Sequence, residues 1–327
     1  LKNNTVMKIS VVIPTYRRPH LLTACLEALS RQDLDKDEFE VIVVSDGPDV
    51  STRMVIDAWY QKRLLDLRYI PLNRKKGPAA ARNKGWRAAV APLVAFTDDD
   101  TLPDSRWLSS FLRMWDGRKA IAFSGKLVVP IPKDPTDYER NTARLATADF
   151  VTANCAVTKE VLTALHGFDE RFTIAWREDS DLEFRLLALK VPVVKILDAV
   201  VVHPVRKAEW GVSIKEQKKN MYNALLYKKF PGMYRRKIQR RPAWNYYAMI
   251  AMILLAAVCL AEGLMVLVSL FMLSWLVMVG MFISKRLSDT TRRSAHVLEM
   301  IITSMAIPFV AIYWSLYGAW RYRVFFL

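Results

Sequence analysis

The chain has 327 residues, a formal net charge of +16 and 52% hydrophobic residues, a length that allows one large domain plus an appendage. Its three cysteines (Cys25, Cys155 and Cys259) are scattered, which argues against a disulfide framework and for a reducing compartment. There is no metal-type Cys spacing, no internal repeat and no low-complexity tract.

Residues 1–8 are polar, do not resemble a signal peptide and lead directly into a strand, so the N-terminal part is expected to stay in the cytosol. Residues 9–14 (Ile-Ser-Val-Val-Ile-Pro) read as a buried strand ended by proline. Thr15-Tyr16-Arg17-Arg18 follows as a loop. Pro19 opens a helix through Arg31, with Leu22, Leu26 and Leu29 as its apolar stripe. A second strand, 39–44, ends at Ser45-Asp46-Gly47. A helix near 52–63, a strand near 67–71, a basic turn at 73–78 and a helix at 79–90 come next. Strands alternating with helices over short links predict a doubly wound, mostly parallel α/β sheet.

Residues 94–97 (Val-Ala-Phe-Thr) run straight into Asp98-Asp99-Asp100. In open α/β sheets, ligands bind at the C-terminal ends of strands. Adjacent carboxylates repel one another unless a cation or a set of donors lies between them. Strand alternation would put Asp98 and Asp100 on one face, as hard oxygen ligands for Mg²⁺ or Mn²⁺, and Asp99 on the other. The alternative is a solvated turn capping a helix near Asp104. The phosphate-binding patterns G-x-G-x-x-G and G-x-x-x-x-G-K-[ST] are absent, so a Rossmann dehydrogenase and a P-loop NTPase are poorly supported. Diphosphate charge would instead fall to a cation and to basic side chains such as Lys76, Arg82 and Lys84, whose other reading is a solvated helix face.

The pattern is less regular after residue 129, where Pro130, Pro132 and Pro135 mark a long loop. Residues 151–157 read as a strand containing Asn154, a candidate acceptor or pocket residue. Gly-Phe-Asp-Glu at 167–170 is a turn. Trp176-Arg177-Glu178-Asp179-Ser180-Asp181 then enters a helix. The helix dipole accounts for one or two of these carboxylates as capping residues. A third suits a general base, beside Trp176 and Arg177, which could shape a pocket. His203 ends a strand at 200–202 and is a candidate metal ligand or diphosphate contact, the alternative being a structural histidine.

Together these residues resemble the family 2 glycosyltransferases of GT-A fold, over residues 8–203. The motifs are Val-Val-Ile-Pro-Thr-Tyr (11–16), Val-Val-Ser-Asp-Gly (43–47), Gly-Pro-Ala-Ala-Ala-Arg-Asn (77–83), the D-x-D within 98–100, Gly-Phe-Asp-Glu (167–170) and Glu-Asp-x-Asp-Leu (178–182). The resemblance implies a GT-A nucleotide-diphospho-sugar transferase domain that inverts at the anomeric carbon. Pro14, Thr15 and Asp46 would hold base and ribose, with Tyr16, Arg17, Lys76 and Gly77 in the same nucleotide-sugar site. Arg82 would support the nucleotide or diphosphate, and Asp98 and Asp99 would contact ribose and donor. Asp100 would be the main metal ligand, with Asp98 and His203. Asp179, paired with Glu178 in its motif, would be the base that activates the acceptor hydroxyl. The Gln-x-x-Arg-Trp motif of processive synthases has no counterpart, since Gln217-Lys-Lys-Asn220-Met221 lacks both the Arg and the Trp. That favours transfer of a single sugar. Polyprenyl-phosphate synthases generally manage without such a base, so Asp179 favours a hydroxyl acceptor.

Between His203 and Arg241 stand twelve Lys/Arg against two Glu, interleaved with Ile214, Met221, Leu225 and Leu226. A basic amphipathic segment beside apolar runs reads as a surface for anionic headgroups rather than for nucleic acid. Residues 243–283 are nearly uncharged and, at about 1.5 Å per residue, too long for one crossing. Glu262-Gly263 divides them into spans at about 244–261 and 264–283, and 297–320 would be a third crossing or a re-entrant segment. Lys285, Arg286, Arg292 and Arg293 would lie in a cytosolic loop. The expected organisation is a catalytic domain (1–205), a basic juxtamembrane segment (206–242) and an all-α transmembrane segment (243–327).

The function expected is a multi-pass cell-membrane glycosyltransferase with a cytoplasmic catalytic domain. It would move one sugar from a UDP-, GDP- or dTDP-linked donor to a hydroxyl of a lipid or lipid-linked glycan. The alternatives are a polyprenyl-phosphate glycosyltransferase and a non-catalytic membrane protein that binds nucleotide sugars.

Overall fold

The computed structural model describes residues 6–326, so most of the polar start lies outside the described residues. In chain order the elements are β1 (Ile9–Thr15), α1 (Pro19–Leu29), β2 (Phe39–Ser45), α2 (Val50–Lys62), β3 (Leu67–Pro71), α3 (Pro78–Ala88), β4 (Leu93–Thr97), β5 (Leu102–Pro103), α4 (Trp107–Met114) and β6 (Ala122–Val128). Then come α5 (Asp137–Ala143), β7 (Asn154–Thr158), α6 (Lys159–Ala164), α7 (Glu178–Ala188) and β8 (Val193–Val202). The rest is helical: α8 (Val212–Glu216), α9 (Met221–Lys229), α10 (Pro231–Lys237), α11 (Trp244–Ala261), α12 (Met265–Leu287) and α13 (Ser294–Tyr322). Two compact units result. One comprises residues up to 130 together with 143–205, the other 131–142 together with 206–327. Residues 131–142, expected in the catalytic domain, therefore cluster with the helical unit.

The first unit is built on a sheet of order β3-β2-β1-β4-β7-β6-β8-β5. β1, β2 and β4 are buried along their whole length, as strands covered on both faces must be. β1 pairs in parallel with β2 on one side and β4 on the other. The strand order therefore reverses between β1 and β4, which opens a crevice at their C-terminal ends. Beyond β4 the sheet is mixed rather than mostly parallel. β7 runs antiparallel to both β4 and β6, while β6 and β8 are parallel. Hydrophobic alternation has the same period in either direction, so strand orientation was not readable. β8 also begins much earlier than residue 200. Its register with β6 jumps between Gly125 and Lys126, which pair with Ile196 and Val200, so residues 197–199 bulge out.

α3 lies close against this sheet because its inner face is small. Ala79, Ala80 and Ala81 are buried, and a Cβ on Gly85 would come within 2.3 Å of Val12 Cγ1.

In the second unit, Gly263 (φ +72°) ends α11, and the Leu264 N–H donates to the Cys259 carbonyl, a left-handed glycine stop that turns the chain into α12. α11, α12 and α13 are long and apolar enough to cross a membrane. They differ in burial: 11% of the apolar window is buried in α11 and in α12, against 44% in α13. Leu254, Val258, Val266 and Leu273 of the first two helices are exposed, whereas Gly318 of α13 packs so closely on Met221 that a Cβ would meet its carbonyl oxygen at 2.4 Å. Arg286 departs from the loop expected for it. It sits in the last turn of α12, 6% exposed, with every N–H engaged: Nε and Nη2 on Asp137 Oδ2, Nη1 on Thr303 and Ser304, and Nη2 also on Ser213. A buried guanidinium needs such a complete set of acceptors.

Gly85→Ala is expected to cost about 1–3 kcal/mol, because the added methyl overpacks the α3–β1 contact. A lowered thermal midpoint would register this, and an unchanged midpoint would show that α3 can shift.

Candidate active site

Each carboxylate of the acidic triplet has its own surroundings. β4 ends at Thr97, so the triplet forms a turn beyond the strand, closed by Thr101, whose hydroxyl donates to the Asp98 carbonyl at 2.7 Å. The split of Asp98 and Asp100 from Asp99 thus comes from the turn and not from the pleat. Asp99 is 1% exposed and accepts from the Thr15 hydroxyl (2.7 Å) and from Arg18 Nη1 (3.1 Å), across the crevice between β1 and β4. Burial pushes its carboxyl up to about 6, against the pull of Arg18 and Thr15. Asp98 accepts from Arg82 Nη2 at 2.6 Å. Asp100 lies 3.7 Å from His203 Nε2. Oxygen atoms of Asp98 and Asp100 and a nitrogen of His203 all lie within 4.8 Å of one another.

This group suits a divalent cation. His203 is nearly buried, and its Nδ1 has no hydrogen-bond partner among the described residues. Two carboxylates and an imidazole this close together form a donor set of the kind that holds Mg²⁺ or Mn²⁺. The His203 backbone is itself fixed, because its N–H donates to the carbonyl of Val128 at the end of β6 at 2.8 Å.

The motif at 77–83 is a series of fastenings. Gly77 has φ +102° and lies so near Thr173 that a Cβ would meet its carbonyl oxygen at 2.5 Å. Its N–H and that of Lys76 donate to Asp46 at 2.7–2.9 Å, so this carboxylate ties the end of β2 to the start of α3. Arg82 is 2% exposed and bridges Asp98 to Glu178 Oε1 at 3.0 Å. Burial works against its charge, but the two carboxylates outweigh that and hold the guanidinium protonated. Asn83 donates to the Phe168 carbonyl (2.8 Å) and accepts from its N–H (2.7 Å), which fixes the turn at 167–170.

At the start of α7 the two acidic neighbours diverge. Glu178 is 3% exposed, and burial raises its carboxyl while Arg82 pulls it back. Asp179 is half-buried and takes the Ser180 N–H (2.6 Å) and hydroxyl on Oδ1 alone, leaving Oδ2 to accept. Asp181 is spent on Arg185, which also binds the carbonyls of Leu165 and Gly167. Trp176 and Arg177 are half-buried, with the guanidinium stacked 4.5 Å from the indole ring. Just past β1, Tyr16 is flanked by Lys75 Nζ (4.6 Å) and the Arg17 guanidinium (5.1 Å), while the Lys76 side chain is exposed and Pro14 is buried within β1.

Asn154 is not brought to this group. Its amide donates to the carbonyls of Lys126 and Ala199 at 2.9 Å and accepts from Trp107 Nε1 at 2.8 Å, which fastens the bulge of β8. Two contributors escaped the sequence reading. Arg18, not Arg17, turns inward to the triplet, because Arg17 adopts φ 54°. Asp49 caps α2 and also holds the Arg17 N–H at 2.6 Å. Its signal was the Asp-x-Ser-Thr start of that helix.

A family model described as "Glycosyl transferase family 2" matches residues 10–169, and one described as "Glycosyl transferase family group 2" matches residues 93–316. The chain belongs to the family 2 glycosyltransferases. Among relatives of this glycosyltransferase chain, validoxylamine A glucosyltransferase of Streptomyces hygroscopicus subsp. limoneus is 27% identical over 252 residues, covering 66% of this chain and 53% of that protein. Chondroitin synthase of Escherichia coli is 26% identical over 275 residues, covering 70% of this chain and 39% of that one. The chain thus spans about half the length or less of these relatives. The mannosyltransferase PcManGT from Pyrobaculum calidifontis, solved in complex with GDP-Man and Mn²⁺, matches with a TM-score of 0.60 at 19% identity, over 95% of this chain and 87% of that one. S. aureus TarS matches with a TM-score of 0.52 at 19% identity, over 73% of this chain and 45% of that one. The fold of the first unit is GT-A, followed by the apolar helices.

Asn154→Ala should cost about 2–4 kcal/mol, because it leaves two buried carbonyls and an indole N–H unpaired. Thermal denaturation reads this. A variant as stable as wild type but with weakened acceptor binding would return Asn154 to the acceptor pocket.

Proposed function

We propose that this family 2 chain is a metal-dependent, inverting glycosyltransferase working at a membrane surface. It would transfer one sugar from a nucleoside-diphosphate donor to a hydroxyl of a lipid or lipid-linked glycan. The observation that carries this reading is the convergence of Asp98, Asp100 and His203 at the β1/β4 crevice. A bound Mg²⁺ or Mn²⁺ would offset negative charge on the departing diphosphate. Thr15, Tyr16, Arg17, Asp46 and Gly77 line the ends of β1 and β2 and the start of α3, where base and ribose would sit. Asp46 would act there by shaping the 76–77 turn, since its carboxylate is held by that turn's N–H groups. Asp99, buried against Arg18, would brace the triplet.

The protein's own chemical act is a proton transfer. As the acceptor oxygen bonds to the anomeric carbon and the bond to the diphosphate breaks, the hydroxyl proton passes to Asp179 Oδ2. Trp176 and Arg177, just before that turn, would border the acceptor. The membrane part of the reading rests on the three long apolar helices and on the basic segment at 206–241, which suits anionic headgroups. A cytosolic catalytic unit would place those cations on the inner side.

The test is incubation of the purified protein with a panel of nucleotide sugars, Mn²⁺ and native lipid extract, with new species identified by mass spectrometry. A glycosylated hydroxyl supports the proposal. An acid-labile glycosyl phosphate would instead indicate a polyprenyl-phosphate acceptor. Absence of both transfer and donor hydrolysis would leave only a nucleotide-sugar-binding role. Asp179→Asn should retain donor binding and lose about 10²–10⁴ in kcat, the usual worth of a positioned base; full turnover would remove Asp179 from the mechanism. His203→Ala should weaken Mn²⁺ support more than Mg²⁺ support, because Mg²⁺ takes nitrogen ligands less readily than oxygen. Undiminished support by both ions would exclude His203 from the metal.

A further inference from the structure

We propose that Glu178 is a positioning residue and not the acceptor base: by sharing Arg82 with Asp98 it limits how tightly that guanidinium holds the Asp98 carboxylate, and thereby sets the affinity of the site for its divalent cation. The proposal rests on the metal reading of Asp98, Asp100 and His203. Glu178 directly precedes Asp179, yet its side chain is only 4% exposed. Its Oε1 receives Arg82 Nη1 at 3.0 Å, and its Oε2 has no hydrogen-bond partner among the described residues. Arg82, itself 2% exposed, presents Nη2 to Asp98 Oδ1 at 2.6 Å. The Phe168 ring lies 5.7 Å from the guanidinium and itself packs edge-on against Phe96.

One guanidinium therefore serves two carboxylates, buried at Arg82 and Glu178, where charges are weakly screened, and opening toward solvent at Asp98. Glu178 draws off part of the pull that Arg82 exerts on Asp98. Without that counter-charge, Arg82 would bind Asp98 alone and compete with a cation for the same carboxylate. Removing Arg82 as well would restore the local balance. Asp179 differs by being half-exposed, so its charge is better screened at the metal.

The experiment measures Mn²⁺ binding to the full chain in detergent, by the loss of the free-ion electron paramagnetic resonance signal, with no sugar donor present. Asp100→Ala is the first control. If it binds Mn²⁺ as wild type does, the metal reading itself fails. If Asp100→Ala loses binding, Glu178→Gln, which keeps shape and removes charge, is expected to weaken binding about tenfold, in the range for partners of metal ligands. Asp179→Asn should leave it nearly unchanged. The double variant Arg82→Gln/Glu178→Gln should recover most of the loss, as coupled neighbours do. Wild-type affinity in Glu178→Gln, equal weakening in Asp179→Asn, or a further loss in the double variant would each overturn the proposal. Thermal midpoints establish that each variant is folded, and if the double variant is not, the contrast between Glu178→Gln and Asp179→Asn decides.

Discussion

Three successive carboxylates at one strand end cannot share a half-dry crevice unless each has its own compensating group. The rest of the catalytic unit is arranged around that requirement. Asp99 is turned back to Thr15 and Arg18. Asp98 is drawn to Arg82. Asp100 is left facing His203. The three partners come from the end of β1, from α3 and from the end of β8, so the repulsion within one tripeptide is resolved by elements far apart in the chain.

α3 is the element that makes this possible. A helix with ordinary side chains on its inner face would stand too far from the sheet for Arg82 to reach Asp98 and Glu178 together. The alanines and Gly85 bring it in, and Gly77 lets its first turn approach Thr173. The same helix then reaches the turn at 167–170 through Asn83. Gly167 in that turn has φ +70° and no room for a Cβ beside Asn83 and Trp86. Packing and electrostatics are therefore one problem here: close approach comes first, and the ion pairs follow from it.

Much of this was legible in the sequence, for reasons that can be stated. β1, β2 and β4 are uninterrupted apolar runs, and such runs announce buried strands. The spans broke at Gly263 because a left-handed stop favours glycine. The motifs named Asp98, Asp100 and His203, three side chains that the fold does bring within 4.8 Å of one another. What escaped was whatever depends on direction or on distant partners. Periodicity does not distinguish an antiparallel β7 from a parallel one. Nothing local separates Arg17 from Arg18, and only the backbone twist at Arg17 sends the second inward. Asn154 looked like a polar pocket residue within a strand, yet it answers carbonyls at a bulge that forms some 45 residues later. Arg286 looked like a loop cation because its acceptors come from α5, α8 and α13.

The path of the chain at residues 131–142 bears on how this protein can be divided. The polypeptide leaves the sheet after β6, contributes α5 to the helical unit, and returns to form β7. A single cut near Val205 would therefore not liberate a self-sufficient soluble enzyme. It would discard Arg286, Thr303 and Ser304 while retaining Asp137 and its flanking turn, orphaned from the helices that hold them. That loosened stretch would begin three residues past Val128, whose carbonyl secures the His203 backbone. The helical unit and the strand end that supports the imidazole are thus joined twice by the covalent path of the chain, once after β6 and once after β8.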